Sequence, residues 1–188
     1  MRKLVLANNI SLDGFADHTI AMADDELHDF FSGLLDETGI ELFGRVTYQM
    51  METFWPHAHE DPAASKSVLD FADKFNAIPK IVFSGTLENA EWKNTTLVRS
   101  NALEHVAGLK EIKGKNLYVG GIKLAGSLMR HGLVDEYWLV VHPVIAGKGR
   151  PLFENVKTKM NLMLVGTVKL NSGVVALHYM SGSGGNNS

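Results

Sequence analysis

The sequence predicts an α/β fold: a mostly parallel central sheet flanked by helices, with a C-terminal antiparallel hairpin. Two observations carry this expectation. Short apolar runs alternate with segments whose apolar residues recur at helical spacing, the pattern of successive strand-helix units. The last two apolar runs, "LMLVGTVKLN" (162–171) and "VVALHYMS" (174–181), are joined by Ser172-Gly173, a hairpin spacing.

Each element follows from its residues. "KLVLANNI" (3–10) is a buried strand ending in turn formers. "ADDELHDFFSGLLDETG" (23–39) places Leu27, Phe30, Phe31, Leu34 and Leu35 on one helical face, with acidic residues in its first turn and Gly39 as a stop. "IELF" (40–43) is a short strand, "GRVTYQMMETFW" (44–55) a loop entering a second helix, "WPHAHEDPAAS" a loop, and "SVLDFADKFNAI" (67–78) a third helix. "KIVFSG" (80–85) and "TTLVRS" (95–100) are strands, followed by a helix in "NALEHVAGLKEIKG" (101–114) and a strand in "NLYVGG" (116–121). "IKLAGSLMRHG" (122–132) carries Ile122, Ala125, Leu128 and Met129 on one face and closes at Gly132, before "VDEYWLVVHPVIAG" (134–147), a strand running into a Pro/Gly loop. Residues 1–181 are expected to form one domain, and "GSGGNNS" (182–188), which can bury nothing, a disordered tail.

Composition excludes several classes. The 188 residues carry a formal net charge of −3 with both signs mixed along the chain, so no electrostatic footprint for nucleic acid or an anionic membrane exists. The chain has no cysteine, which excludes disulfides, thiolate metal sites and a thiol nucleophile and suits a cytoplasmic setting. No run approaches the roughly 20 apolar residues that span a bilayer, and the apolar part of "MRKLVLANNISLDG" is too short for a signal peptide.

Two strand-to-helix junctions suit an anion. Gly120-Gly121 lets backbone N–H groups approach a phosphate, with the next helix aiming its positive end there. The spacing is Gly-Gly-x-x-x-x-Gly, so the dinucleotide fingerprint of the Rossmann fold is absent. In "FGRVTYQM", Gly44 permits the turn, Arg45 supplies a cation and Thr47 a hydroxyl, a set that suits the phosphomonoester distinguishing NADPH from NADH. Arg45 has the wrong sign for a helix start unless an anion is present. Ser84 and Thr86 stand at a third strand end. Asp13, between a strand and a helix, is either a turn aspartate or a polar group at a reaction centre, the second especially if burial raises its pKa. "HAHED" (57–61) lacks the i, i+4 spacing that converges two histidines on a metal, so no metal site is expected. His142 and His178 read as structural, and no G-x-S-x-G pattern supports hydrolase chemistry.

Taken in order, "NNISLDGFAD", "LFGRVTYQMM", "KIVFSGTLE" and "LYVGGIKLAGSLMRHGLVDEYWLVVHPVIAGKGRPLF" resemble the dihydrofolate reductase-like proteins related to the C-terminal reductase domain of the bifunctional riboflavin-biosynthesis deaminase/reductase. The resemblance covers residues 2 to 180 and implies a dihydrofolate-reductase-like fold that binds NADPH. It implies that Gly44, Arg45, Val46, Thr47 and Ser84 lie near the adenosine phosphates, and that Val119, Gly120, Gly121 and Ile122, with Leu124, lie at the pyrophosphate. It implies Ala7, Asn8, Ile10 and Gly14 beside the nicotinamide, Asp13 as a catalytic polar group, and Asp25 and His28 as walls of the substrate cleft. Relatives often pair as homodimers, and "DEYWLVV" with the terminal strands would supply the contact. The deaminase signature H-x-E with P-C-x-x-C is absent, so a stand-alone reductase-like protein is expected, without a role in riboflavin synthesis following from the likeness. Two functions stand: an NADPH-dependent oxidoreductase passing hydride to a small, pterin- or pyrimidine-like heterocycle, and a non-catalytic NADP(H)- or metabolite-binding module on the same fold.

Overall fold

The computed structural model describes residues 1–16, 18–21 and 23–182; most of the expected tail, 183–188, lies outside the described residues. Strands β1 (Leu4–Ser11), β2 (Thr38–Gly44), β3 (Lys80–Phe83), β4 (Thr95–Val98), β5 (Asn116–Val119), β6 (Glu136–His142), β7 (Leu162–Lys169) and β8 (Val175–Ser181) form one sheet in the order β4-β3-β2-β5-β1-β6-β8-β7. The six strands from β4 to β6 are parallel. β8 runs antiparallel between β6 and β7, so the hairpin's first strand, not its last, forms the edge.

Helices α1 (Asp25–Asp36), α2 (Arg45–Glu52), α3 (Lys66–Ala77), α4 (Ala102–Glu111) and α5 (Ile122–Arg130) cover the two faces. Alternation along the strands decides which residue meets which layer. Leu4, Leu6, Leu42, Leu117 and Val119 pack against Val106 of α4 and Ala125, Leu128 and Met129 of α5. Phe43 and Val82 point the other way, against Leu35 of α1, Tyr48 of α2 and Phe71 and Phe75 of α3. A third cluster joins Leu27 of α1 to Val140, Leu170, Val174 and Ala176 around the hairpin. Fully burying each such aliphatic or aromatic side chain contributes about 1.5–3 kcal/mol, which is why the apolar periodicity predicted the layers.

The structure corrects the sequence-based expectations at several places. β2 passes into α2 with no intervening loop, because Gly44 is at once the last strand residue and the helix N-cap. Residues Trp55–Glu60 form a 3-10 helix rather than a loop, started by Phe54 with Pro56 in its first turn. The first helix spans 25–36, since Asp24 caps it by accepting from Leu27 N–H at 2.8 Å and the backbone turns into β2 from Thr38.

Candidate functional site

The helix starts divide into two kinds. Side chains cap α1 and α3, through Asp24 and Ser65, whereas α2, α4 and α5 begin without any side-chain cap. Two of the uncapped starts are neighbours: β2 and β5 are adjacent, with Leu42 opposite Val119, so Gly44 and Gly120-Gly121 lie side by side at the carboxyl ends of their strands. Gly121 is required there twice over. Its φ is +86°, and a Cβ would stand 2.2 Å from Thr47 Oγ1. A Cβ on Gly120 would meet the Phe43 ring and the Thr47 methyl at 3.8 and 3.9 Å, and one on Gly44 would lie 3.9 Å from Leu124 Cβ. The first turns of α2 and α5 thus interlock through Thr47, Leu124 and three glycines, leaving two sets of orphan N–H groups and two positive helix ends together.

Around this cradle, Arg45 is exposed at the first position of α2 and, among the described residues, donates only to Gln49 Oε1, at 3.0 Å. Val46 beside it is exposed, while Val119 is fully buried and Ile122 half-buried. Ser84 follows β3, whose Phe83 pairs with Gly44. Its hydroxyl accepts from the Thr86 and Leu87 N–H groups at 3.2 and 2.9 Å, a turn that leaves the hydroxyl proton to donate.

The other end of the crevice is made by β1. Its last residue paired with β5 is Leu6, but pairing with β6 continues to Ser11, so from Ala7 onward the β5-side edge of β1 has no strand partner among the described residues, beside Gly120-Gly121. The Ala7 carbonyl accepts from the Tyr118 hydroxyl at 3.3 Å. Asn8 and Ile10 lie on the α5 side of the strand, and Ala7 and Asn9 on the α1 side. His142 Nε2 donates to Asn9 Oδ1 at 2.9 Å, and burial lowers the His142 pKa against the opposing pull of Asp24.

Asp13 departs from the raised pKa under which it would hold a proton. Its carboxylate is exposed and accepts from the Ala146 and Gly147 N–H groups at 3.0 and 2.8 Å. Hydrogen bonds from Ser11, Ala146 and Gly147 outweigh desolvation and bring its pKa down to about 2. It fastens the 11–16 segment to the 143–152 loop. Leu12 N–H to Val144, Ala16 N–H to Arg150 and Leu152 N–H to Gly14 complete the clasp, and Phe15 packs where a Cβ on Gly149 would be. Gly14 makes the turn at φ +83°. A cavity of about 450 Å³ opens beside the clasp, lined by Thr19, Ile20, Ala146, Lys148 and Gly149.

Asp25 and His28 are turned toward the α1–α3 seam. Asp25 accepts from the Ser65 hydroxyl; His28 donates through Nδ1 to the Asp24 carbonyl at 2.8 Å and sets its ring edge-on to Trp55 and Phe71. From α1 it is instead Leu27 that packs against Val140 of β6, and the N-cap Asp24 acts electrostatically on His142. His57 and His59 bind Glu60 and Asp73 separately, and no metal-competent cluster exists among the described residues.

Sequence reasoning missed Glu41. It is fully buried on β2, both carboxylate oxygens lack a hydrogen-bond partner, and burial pushes its pKa up to about 8 against the pull of Lys80. Its strand neighbours in register are Lys80 and Tyr118. A charged residue inside the otherwise apolar "IELF" run was the available signal.

The chain matches the RibD C-terminal domain over residues 2–176. It belongs to that family. The uncharacterized protein YyaP of Bacillus subtilis is 33% identical over 182 residues, covering 95% of this chain and 94% of its own. The uncharacterized protein YwjB of the same organism is 29% identical over 186 residues, covering 95% and 98%. Among solved structures, a pyrimidine reductase-like protein of Corynebacterium diphtheriae superposes with a TM-score of 0.65 at 14% identity, over 96% of this chain and 92% of that one. The Thermotoga maritima diaminohydroxyphosphoribosylaminopyrimidine deaminase/5-amino-6-(5-phosphoribosylamino)uracil reductase superposes at 0.64 with 17% identity, over 96% of this chain and 56% of that one. Membership of the RibD C-terminal family makes this a reductase-like chain with the fold that the sequence resemblance implied. Among the described residues no helix is long and apolar enough to cross a membrane.

Proposed function

We propose that this protein is an NADPH-dependent reductase that passes a hydride to a small, pterin- or pyrimidine-like heterocycle. The observation that carries the reading is the pair of interlocked, uncapped helix starts at Gly44 and Gly120-Gly121, with a glycine whose Cβ would fill the cradle. These residues fit a dinucleotide: two converging sets of N–H groups for the pyrophosphate, flanked by Val119, Ile122 and Leu124, and Arg45, Val46, Thr47 and Ser84 for the adenosine phosphates. The bare edge of β1, with Ala7, Asn8, Ile10 and the Gly14 turn, offers backbone groups to a nicotinamide carboxamide. When bound, the reduced nicotinamide supplies the hydride.

The chain's own residues hold and orient. The 11–16 and 143–152 clasp, pinned by Asp13, closes the strand end against water, and Asp24, Leu27, Asp25 and His28 belong to the helix beside the substrate cleft. Asp13 acts there as an ionised anchor. A second reading, a non-catalytic NADP(H)-binding module, is favoured by that ionised state, which leaves Asp13 without a proton to give. We further place the protein in the cytoplasm as a homodimer joined through the β7 edge, where Met163, Leu164, Val165 and Val168 are exposed. Light scattering at several concentrations tests the pairing.

Thermal unfolding with NADPH, NADP⁺ and NADH tests the nucleotide site. A ligand at 100 times its dissociation constant adds about 2.7 kcal/mol. NADPH is expected to stabilise more than NADH, and Arg45→Ala to remove that preference. No shift with any nucleotide defeats the reading.

A further inference from the structure

Among the described residues, one buried carboxyl has no hydrogen-bond partner and no place in the nucleotide cradle or the Asp13 clasp. Glu41 occupies the middle of a polar row on the α1–α3 face of the sheet, with Lys80 on one side in β3 and Tyr118 on the other in β5. Lys80 has all the partners an ammonium needs. It donates to the carbonyls of Phe75 at 2.7 Å, Ile78 at 2.8 Å and Asn76 at 3.3 Å, and its Nζ lies 4.3 Å over the Trp92 ring. Lys80 thus caps the end of α3 and makes no hydrogen bond to Glu41. On the other side, the Tyr118 hydroxyl reaches past Glu41's level to the Ala7 carbonyl, the first group of the bared β1 edge beside Gly120-Gly121. The row therefore runs from the end of α3 to the floor of the crevice, and its central member is a carboxyl with nothing bonded to either oxygen. A buried polar group left so calls for a use.

We propose that Glu41 is a proton-linked partner of the cofactor's redox state, an acid that stays neutral when the reduced nicotinamide is bound and gives up its proton when the positively charged oxidised ring occupies the crevice. The inference rests on the nucleotide reading above. Two physical facts support it. A charge shielded from water acts over a longer range than one in solvent, so a cation over the Ala7 end of the crevice favours the anion at Glu41. Burial also brings the Glu41 pKa to about 8, close enough to neutrality for a modest attraction to release the proton.

Among the described residues Lys80 is the group coupled to Glu41: burial lowers its pKa to about 8 against Glu41's pull, and Glu41→Gln separates the two titrations. Lys80 and Tyr118 are the groups facing Glu41 from β3 and β5, and β1 presents Val5 at this level. Glu136, in the same row on β6, is held by Lys3 and His178. From α2, Glu52 binds Tyr48 and Trp92. Asp29, Asp36, Asp70, Asp73 and Lys74 of α1 and α3 line a groove between those helices, and none acts on Glu41. In turnover the released proton offsets part of the one that a C=N or C=O group takes up on its heteroatom when its carbon receives the hydride, the rest coming from solvent.

The test is the affinity of the purified protein for NADPH and NADP⁺ between pH 6.5 and 9, for the natural sequence and Glu41→Gln. The 2′-phosphate is common to both nucleotides, so its titration cancels in the ratio of their dissociation constants. The ratio of the NADP⁺ constant to the NADPH constant is expected to fall roughly tenfold with rising pH in the natural protein and to stay level in the variant. Titration calorimetry of the natural protein in buffers of different ionisation enthalpy supplies a variant-free readout: at pH 7, NADP⁺ binding should release roughly 0.4 proton and NADPH binding close to none. A level ratio in the natural protein, the same fall in Glu41→Gln, or equal proton release by both nucleotides overturns the inference while leaving the nucleotide site standing. Failure of both nucleotides to bind defeats the site and the inference together.

Discussion

Replacing Glu41 by glutamine should stabilise this protein at neutral pH, although it alters a fully buried residue in a central strand. In the folded chain the carboxyl keeps its proton up to about pH 8, against an ordinary value of 4.5. Between those two values the folded state holds a proton that the unfolded state has lost. Stability from this group is therefore fully present below pH 4.5 and falls as pH rises through the window, by about 1.4 kcal/mol per unit. The cumulative loss is about 3 kcal/mol at pH 7 and about 5 kcal/mol at pH 8. Glutamine has a similar shape and no titration, so its stability relative to the natural protein should climb by those amounts from pH 4.5 upward. Lys80 is coupled to Glu41 and its own pKa is lowered to about 8 by burial, so the comparison is cleanest up to pH 7, where Lys80 keeps its charge in both proteins. Urea unfolding at pH 4.5, 7 and 8.5 reads the effect as a midpoint difference that widens by about 1 to 2 M by pH 7 with unchanged slope. A difference that is level across pH, or that shrinks as pH rises, would refute the reasoning.

The cradle and the clasp each give a sharper local test. Gly121→Ala must place a Cβ 2.2 Å from Thr47 Oγ1 at φ +86°, which should cost about 2 to 4 kcal/mol and weaken nucleotide binding. Adding Thr47→Ala removes the hydroxyl, so the double variant should recover part of that loss in urea melts; strict additivity would show that the two helix starts are not interlocked. Asp13→Asn can accept from only one of the two amides that the carboxylate now holds. Faster hydrogen exchange at Ala146 and Gly147 is expected, with the core strands unchanged, and unaltered exchange there would dismiss the clasp. The Asp13 pKa is depressed to about 2, so its contribution is present above the ordinary value of 3.8 and is lost as pH falls through 2. The same exchange measurement should therefore show the clasp intact at pH 5.

Much of the architecture was legible because its causes are local. Apolar residues at period two or at helical spacing determine which face of a segment needs burial, and a residue such as Gly132 after "SLMRH" ends a helix wherever it falls. The glycines of "FGRVT" and "YVGGI" could likewise be read as places where backbone approaches an anion. That the two junctions are neighbours could not, because it depends on β5 lying next to β2 across more than 70 residues of intervening chain. Strand order likewise put β8 inside the hairpin and β7 at the edge.

The charged residues show the same division more sharply. Asp13 and Glu41 are both carboxylates near strands, and nothing in their immediate sequence says which keeps its proton. The fold gives Asp13 two amides from a loop more than 130 residues away and lowers its pKa, and it surrounds Glu41 with apolar layers and an already satisfied lysine and raises it. The sequence by itself determined the elements, their polarity and the candidate anion sites, since propensity and hydrophobic period act over a few residues. Only the tertiary structure decided which strand ends meet and which acid stays neutral, because desolvation and charge pairing depend on what packs nearby in space.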